Sequence, residues 1–259
     1  MKERFHTMLK DVKVWELIFW WLLRCAMIFA FIDTAFLRGS TYTASNPPIQ
    51  IAANLVGMFA YEIIQLFFPK NSTFRLLSPH FQNITALGFF LGSFGGAYMN
   101  LYYILPLYDK ILHAYGTAEA VFIGYEYLTA KQLKLQKTAP HQIINLGALG
   151  FGFILSSGWE LFEFTYDQFF GGDAQHWNYD LALESAGGDP SKIFQLIPMN
   201  EISRFALMDT MGDIVLNFIG AFLMFIVLCI LPYHHRGAND VNKRIEAMQA
   251  AAAKETAQV

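Results

Sequence analysis

FALMDTMGDIVLNFIGAFLMFIVLCIL, residues 205–231, decides how this chain is read. The run is long enough, at about 20 residues or more, to cross a bilayer core as a helix. Its apolar character is interrupted on one side only, by Asp209, Asp213 and Asn217. Their i, i+4, i+8 spacing puts them on one helical face. An ionisable group at membrane depth is costly and usually faces a bundle interior or a site. The segment therefore predicts a transmembrane helix with an acidic inner stripe.

Working outward from it, the rest of the chain has the same character. It is 54% hydrophobic and 16% aromatic over 259 residues, with a mean hydropathy of +0.32. That is too apolar for an ordinary soluble domain. The net charge of -3 argues against a nucleic-acid partner. Cys25 and Cys229 both fall inside apolar segments, and read as small apolar residues, not as a disulfide or a metal pair. The first apolar stretch is too long for a cleavable signal and has no small-residue cleavage site after it, so it is expected to stay in the membrane.

The expected fold is an all-α, polytopic transmembrane bundle of about six spans. They lie near Val14–Phe36, Pro48–Phe68, Phe81–Ile104, Asp109–Ala130, Gln142–Thr165 and Phe205–Leu231. The bundle covers residues 1–232, with a loop over 166–204 and a tail over 233–259. The short Leu105–Tyr108 connection makes the third and fourth spans antiparallel neighbours.

Basic residues collect at one set of ends: Lys2, Arg4, Lys10 and Lys13; Lys70 and Arg75; Lys131, Lys134 and Lys137; Arg236, Lys243, Arg244 and Lys254. The other ends carry Arg38, Lys110, Lys192 and Arg204. The positive-inside rule then puts both termini in the cytoplasm, which an even number of spans requires. The 166–204 connection becomes external. It holds Asp173, Asp180, Glu184, Asp189, the pairs Gly171–Gly172 and Gly187–Gly188, Trp177 and Tyr179. It reads equally as an interfacial hairpin or as a lid. The Ala-rich charged tail reads as a frayed or surface helix without chemistry.

With this orientation three acidic stripes meet one membrane face. Asp109 and His113 open the fourth span at i, i+4. Glu160, Glu163 and Asp167 close the fifth at i, i+3, i+7, and Asp209, Asp213 and Asn217 open the sixth. Asp109 and Asp209 also suit helix N-termini, and Asp167 also suits a wet headgroup position. His113, Glu160 and Asp213 lie a turn or more inside their spans and are the candidate catalytic residues. Asp109, Glu163, Asp209, Asn217 and Arg204 are candidate ligand-binding residues.

So many carboxylates cannot all be ionised together in low dielectric; protons or a cation must neutralise some of them. Lys110 and Arg204 are candidate counter-ions. A divalent metal on Asp109, His113, Glu160 and Asp213 is one candidate cofactor, although the spacing matches no zinc-hydrolase motif. An acid/base pair sharing a proton accounts for the same residues without a metal. Deeper in the membrane, Arg24 and Glu62 are expected to pair. Glu119, near Asn217 in depth, is a candidate relay. Gly88, Gly92, Gly95 and Gly96 mark the third span as a close-packing helix.

The ordered set Asp109-Lys110-Ile111-Leu112-His113, Trp159-Glu160-Leu161-Phe162-Glu163, and Asp209-Thr210-Met211-Gly212-Asp213 with Asn217 and Gly220 resembles the VanZ-like membrane proteins. It resembles the related YjdF-type inner-membrane family more closely. The likeness covers roughly the second half of the chain; the first three spans match only in hydropathy. The VanZ-like pattern has an acid followed by Gln where this chain has W-E-x-x-E, and a basic residue closer to the last aspartate than Arg204 is to Asp209. The resemblance implies a multi-pass protein of the bacterial inner membrane with a cell-envelope role, linked in some VanZ-like members to glycopeptide tolerance. The YjdF-type likeness implies location and architecture without a reaction.

Three functions are open to these residues. One is an envelope enzyme or lipid-handling protein whose cluster meets a lipid headgroup, with His113 or Glu160 carrying a proton and Asp213 orienting it. Another is a proton- or ion-coupled transporter, which is expected to show internal repeats, and none is visible between the halves. The last is a non-catalytic subunit whose cluster binds a cation or partner. No nucleophilic Ser or Cys motif is present.

Overall fold

A computed structural model describes residues 2–37, 47–105, 107–170, 173–175, 177–193, 201–230 and 238–256. Arg38, Pro106, Gly171, Gly172, Leu231, Pro232 and Arg236 lie outside the described residues. The described chain is all-helical, without strands. It comprises α1 (Lys2–Asp11), α2 (Val14–Ile32), α3 (Pro47–Gly57), α4 (Ala60–Phe67), α5 (Pro79–Phe90), α6 (Leu101–Ile104), α7 (Tyr108–Leu135), α8 (His141–Phe170), α9 (Tyr179–Ser185), α10 (Phe205–Ile230) and α11 (Ala238–Thr256). Two π-helical stretches, Asp33–Leu37 and Leu91–Tyr98, continue α2 and α5.

Val14–Leu37 and Ile202–Ile230 are long and apolar enough to cross a membrane, and the bent pair Pro48–Gly57 and Ala60–Phe67 makes a third if it is one span. That is fewer than the sequence reading of about six. The difference lies partly in α7 and α8. At 28 and 30 residues they have ample length, about 42 to 45 Å. Yet α7 carries Asp109, Lys110, His113, Glu119 and Glu126, and α8 carries Glu160, Glu163 and Asp167. The polar side chains that face the bundle dilute the apolar content by which a span is recognised.

Burial is inverted relative to a water-soluble bundle. Ile18, Leu22 and Phe29 on α2, Ile154 and Phe162 on α8, and Phe218, Phe222 and Ile226 on α10 are all exposed. Glu16, Arg24, His113, Glu126, Asp213 and Asn217 are buried. Apolar side chains facing outward and polar ones inward is the arrangement a lipid solvent selects.

Three apolar clusters hold the helices together. Met8, Trp20, Tyr61, Phe81 and Ala130 join α1, α2, α4, α5 and α7. Met27, Ala30, Ile51, Met58, Ala86 and Tyr98 join α2, α3 and α5 to the second π stretch. Val121, Tyr125, Ile144, Ala148 and Ala221 join α7, α8 and α10. The last three helices pack closely because small residues let them. A Cβ on Gly220 would collide with the backbone carbonyl of Ala114, and one on Gly152 would collide with Val121. Close backbone approach at glycine drives helix association where lipid removes the hydrophobic difference. Gly88, Gly95 and Gly96 likewise leave room for Glu119, Tyr108 and Tyr102, while Gly92 has space to spare.

The second predicted span is broken. α3 and α4 meet at an angle of 50° around Met58 and Phe59. Such a break frees backbone groups that hydrocarbon cannot satisfy. Arg24 supplies the remedy: its Nε and Nη2 donate to the Met58 carbonyl at 3.2 and 2.6 Å. Nη2 also meets Glu62 Oε1 at 2.7 Å, and the guanidinium lies 3.8 Å over the Phe59 ring. Gln82 donates to the same carbonyl and accepts from the Tyr61 amide. The expected Arg24–Glu62 pair therefore forms, and it also stabilises a helix break.

The tail is more ordered than a frayed helix. α11 buries Val241 and Ile245 completely. Asn242 accepts from the Ala139 amide and donates to its carbonyl, tying α11 to the turn between α7 and α8.

Candidate functional site

The site is built where α7 begins, α8 ends and α10 begins. These three helices pack against one another, so residues at matching heights on their facing stripes converge. Lys110 is the centre. It follows Asp109 by one residue and precedes His113 by three, and it turns toward α10. Its buried ammonium donates to Asp213 Oδ1 and Oδ2 at 2.7 and 2.9 Å, and to Asp209 Oδ1 at 2.8 Å. Asp109 Oδ2 lies 3.2 Å from the same nitrogen.

His113 occupies the next turn of α7. Its Nδ1 is 3.3 Å from Glu160 Oε1, while its Nε2 is 3.5 Å from Asp213 Oδ1 and 3.7 Å from Asp109 Oδ1. The ring thus bridges an α8 acid and an α10 acid. One turn deeper, Thr117 donates to Asn217 Oδ1 at 2.7 Å, and Asn217 Nδ2 donates to Glu160 Oε1 at 3.0 Å. Glu160 Oε2 is buried without a hydrogen-bond partner among the described residues. Glu163, a turn further along α8, accepts at Oε1 from the Trp159 indole at 2.6 Å.

The expected constellation is largely brought together. Asp109, Asp209 and Asp213 meet at Lys110, His113 links Asp109 and Asp213 to Glu160, Asn217 joins through Glu160, and Glu163 adjoins them. Arg204 is the exception. It sits exposed in the short 3-10 turn Ile202–Arg204, ahead of α10, and Lys110 is the cation that occupies the centre. Asp167 is not a wet headgroup acid. It is 5 % exposed and accepts from the backbone amides of Ala174 and Gln175 at 2.7 and 2.9 Å. It therefore fixes the chain as it leaves α8. Glu119 does not extend the cluster inward. It follows His113 by six residues, about 240° round the helix, and lies beside Gly88 and Thr85 of α5.

Sequence reasoning passed over Thr117 and named Trp159 only as part of the W-E-x-x-E motif, without a role. Both were detectable: Thr117 continues the Asp109, His113 stripe at i+8, and Trp159 precedes Glu163 by four. The described part of the loop lies against this end of the bundle. Gln175 Nε2 approaches Thr210 Oγ1 at 3.3 Å, next to Asp209, and the Tyr179 ring meets Phe205 edge-on at 5.3 Å.

Chemically the site is a buried, acid-rich cluster with one ammonium and one imidazole. Asp109, Asp209, Asp213, Glu160 and Glu163 outnumber Lys110 and His113, so ionised carboxylates there need protons or a further cation. Two groups have atoms close enough to share a metal ion, each within 4.8 Å of one another: Asp109, His113 and Asp213, and His113, Glu160 and Glu163.

Residues 17–234 match the model of a family described as predicted membrane protein (DUF2238), and the chain belongs to that family. The YjdF-type resemblance of the sequence is to this same family. No curated protein and no solved structure matches the chain.

Proposed function

We propose that this member of the family is a multi-pass inner-membrane protein of about six spans with both termini in the cytoplasm. Its Asp/Glu/His cluster, at the external face, binds or acts on the polar headgroup of a cell-envelope lipid. His113 and Glu160 exchange the proton, and Asp213 orients the imidazole. Lys110 holds Asp209 and Asp213 in place and offsets part of their charge. The VanZ-like likeness of the three motifs is the ground for the bacterial envelope setting.

The observation that carries this reading is the His113 ring between Glu160 and Asp213, at 3.3 and 3.5 Å, with Glu160 Oε2 left unpartnered. A general acid or base needs a donor or acceptor atom not already hydrogen-bonded and a partner that fixes the other side. Glu160 has the first and His113 the second. Against a carrier stands the position of Glu119, the candidate relay, which lies beside Gly88 and Thr85 of α5 and not on the His113 stripe.

Co-purified lipid tests the reading. Wild-type protein extracted with its native lipids is expected to retain a particular headgroup class above its bulk abundance, measured by mass spectrometry. Glu160→Gln and His113→Ala are expected to lose that enrichment while remaining monodisperse. A lipid profile equal to bulk in the wild type, or unchanged in both variants, overturns it.

A further inference from the structure

The cluster offers two places for a cation, and they are not equivalent. Asp109, His113 and Asp213 already face the Lys110 ammonium, which takes both oxygens of Asp213. A doubly charged ion placed there is repelled at a few ångströms by a fixed positive charge. The other group, His113, Glu160 and Glu163, lies on the α8 side, away from the contacts Lys110 makes. All three residues are buried.

We infer that His113 Nδ1, Glu160 and Glu163 hold a divalent metal ion. The inference rests on the reading of this cluster as a ligand-binding site, and it puts a bound cation where that reading has the His113–Glu160 proton exchange. Each residue has one atom fastened from outside and another turned inward. His113 Nε2 faces Asp213 and Asp109, leaving Nδ1 toward Glu160. Glu160 Oε1 takes the Asn217 amide, and Oε2 is buried without a partner. Glu163 Oε1 takes the Trp159 indole, leaving its Oε2. Metal-ligating imidazoles characteristically give their other nitrogen to a carboxylate, and ligating carboxylates are themselves hydrogen-bonded. The spacing also suits an ion. One ligand atom from each of His113, Glu160 and Glu163 lies within 4.8 Å of the others.

One imidazole and two carboxylates suit Zn²⁺ or Mn²⁺, and three protein ligands leave a position open for a further oxygen. The ion occupies the lone pairs that otherwise share a proton, so its binding releases that proton. It also neutralises the two acids that Lys110 does not reach.

The experiment is elemental analysis of the full chain in nanodiscs, stripped with a chelator and then loaded with Zn²⁺ alone. About one ion per chain is expected to remain after desalting, with proton release on binding. Glu163→Gln and His113→Ala are expected to lower Zn²⁺ affinity at least about tenfold. Asp109→Asn is expected to lower the affinity less than Glu163→Gln does, since Asp109 reaches His113 Nε2 and not the ion. Should the variants fail to fold, X-ray absorption of Zn²⁺-loaded wild type reads the site directly, as a nitrogen/oxygen shell with one imidazole. Wild-type protein that keeps less than about a tenth of an ion per chain, or a shell without imidazole, overturns the inference. So does loss in Asp109→Asn with retention in Glu163→Gln. Metal bound without lipid enrichment supports this site while removing the lipid reading, and lipid enrichment without metal does the reverse.

Discussion

Lys110 Nζ lies 2.7 and 2.9 Å from the two carboxylate oxygens of Asp213, making the ammonium the internal counter-ion that joins α7 to α10. The same nitrogen reaches Asp209 one turn earlier on α10, at 2.8 Å. Both side chains of the central pair are buried, at 7 and 3 % exposure. Removing one partner of such a pair leaves the other charged and dry, at a cost of about 3–5 kcal/mol. Lys110→Met is therefore expected to lower the unfolding free energy by about that much. The double variant Lys110→Met, Asp213→Asn is expected to recover part of it, because the orphaned charge is gone. Equilibrium unfolding in mixed micelles measures both. Equal losses in the single and double variants contradict the pairing.

Much of this site was legible because helical spacing alone puts Asp109 with His113, Glu160 with Glu163, and Asp209 with Asp213 and Asn217. What spacing cannot give is the direction of a stripe relative to its neighbours. Lys110 and Arg204 looked alike in sequence, each a cation beside a span. Only packing shows that Lys110 turns toward α10 while Arg204 stays on the outside of a short turn. Glu119 was misleading in azimuth. The break between α3 and α4 was hidden because no proline marks it; its determinant, Arg24, lies on a different helix. The docking of α11 did leave a trace, in Val241 and Ile245 spaced i, i+4.

Gly220 carries the closest approach between α7 and α10. A methyl group there meets the backbone carbonyl of Ala114, which cannot rotate aside. Gly220→Ala is expected to destabilise the bundle by about 1–3 kcal/mol through overpacking. Gly158 on α8 has open space around it. Gly158→Ala is expected to be neutral, or stabilising by up to about 1 kcal/mol from helix propensity. Thermal unfolding of the two variants side by side decides; equal shifts argue against the close approach.

Arg24 differs from a surface ion-pair partner because it serves the Met58 carbonyl as well as Glu62. Arg24→Leu leaves a carbonyl short of donors and a carboxylate without its cation. It is expected to cost about 3–5 kcal/mol. Glu62→Gln keeps an acceptor for the guanidinium and is expected to cost less, about 1–3 kcal/mol. The same micelle titration ranks them, and a larger loss in Glu62→Gln contradicts Arg24 as the stabiliser of the break.

The proposed sidedness follows from charge, since lysines and arginines gather at the ends of α1, α7 and α11 and thin out near the cluster. Asp189 and Lys254 lie at opposite sides of the membrane in this arrangement. Asp189 is solvent-accessible, with 43 % of its side chain exposed, and Lys254 is on an exposed stretch of α11. In a background with Cys25 and Cys229 replaced by serine, Asp189→Cys is expected to react with an impermeant maleimide in intact spheroplasts. Lys254→Cys is expected to react only after the membrane is opened. Labelling of both from outside breaks the parity of the six-span arrangement, because an odd number of crossings then separates the N-terminus, held inside by Lys2, Arg4, Lys10 and Lys13, from the tail. The lipid reading depends on the Asp189 result: protection of Asp189→Cys in intact spheroplasts puts the cluster end of the bundle, against which this loop lies, at the cytoplasmic face and removes the outer-leaflet headgroup.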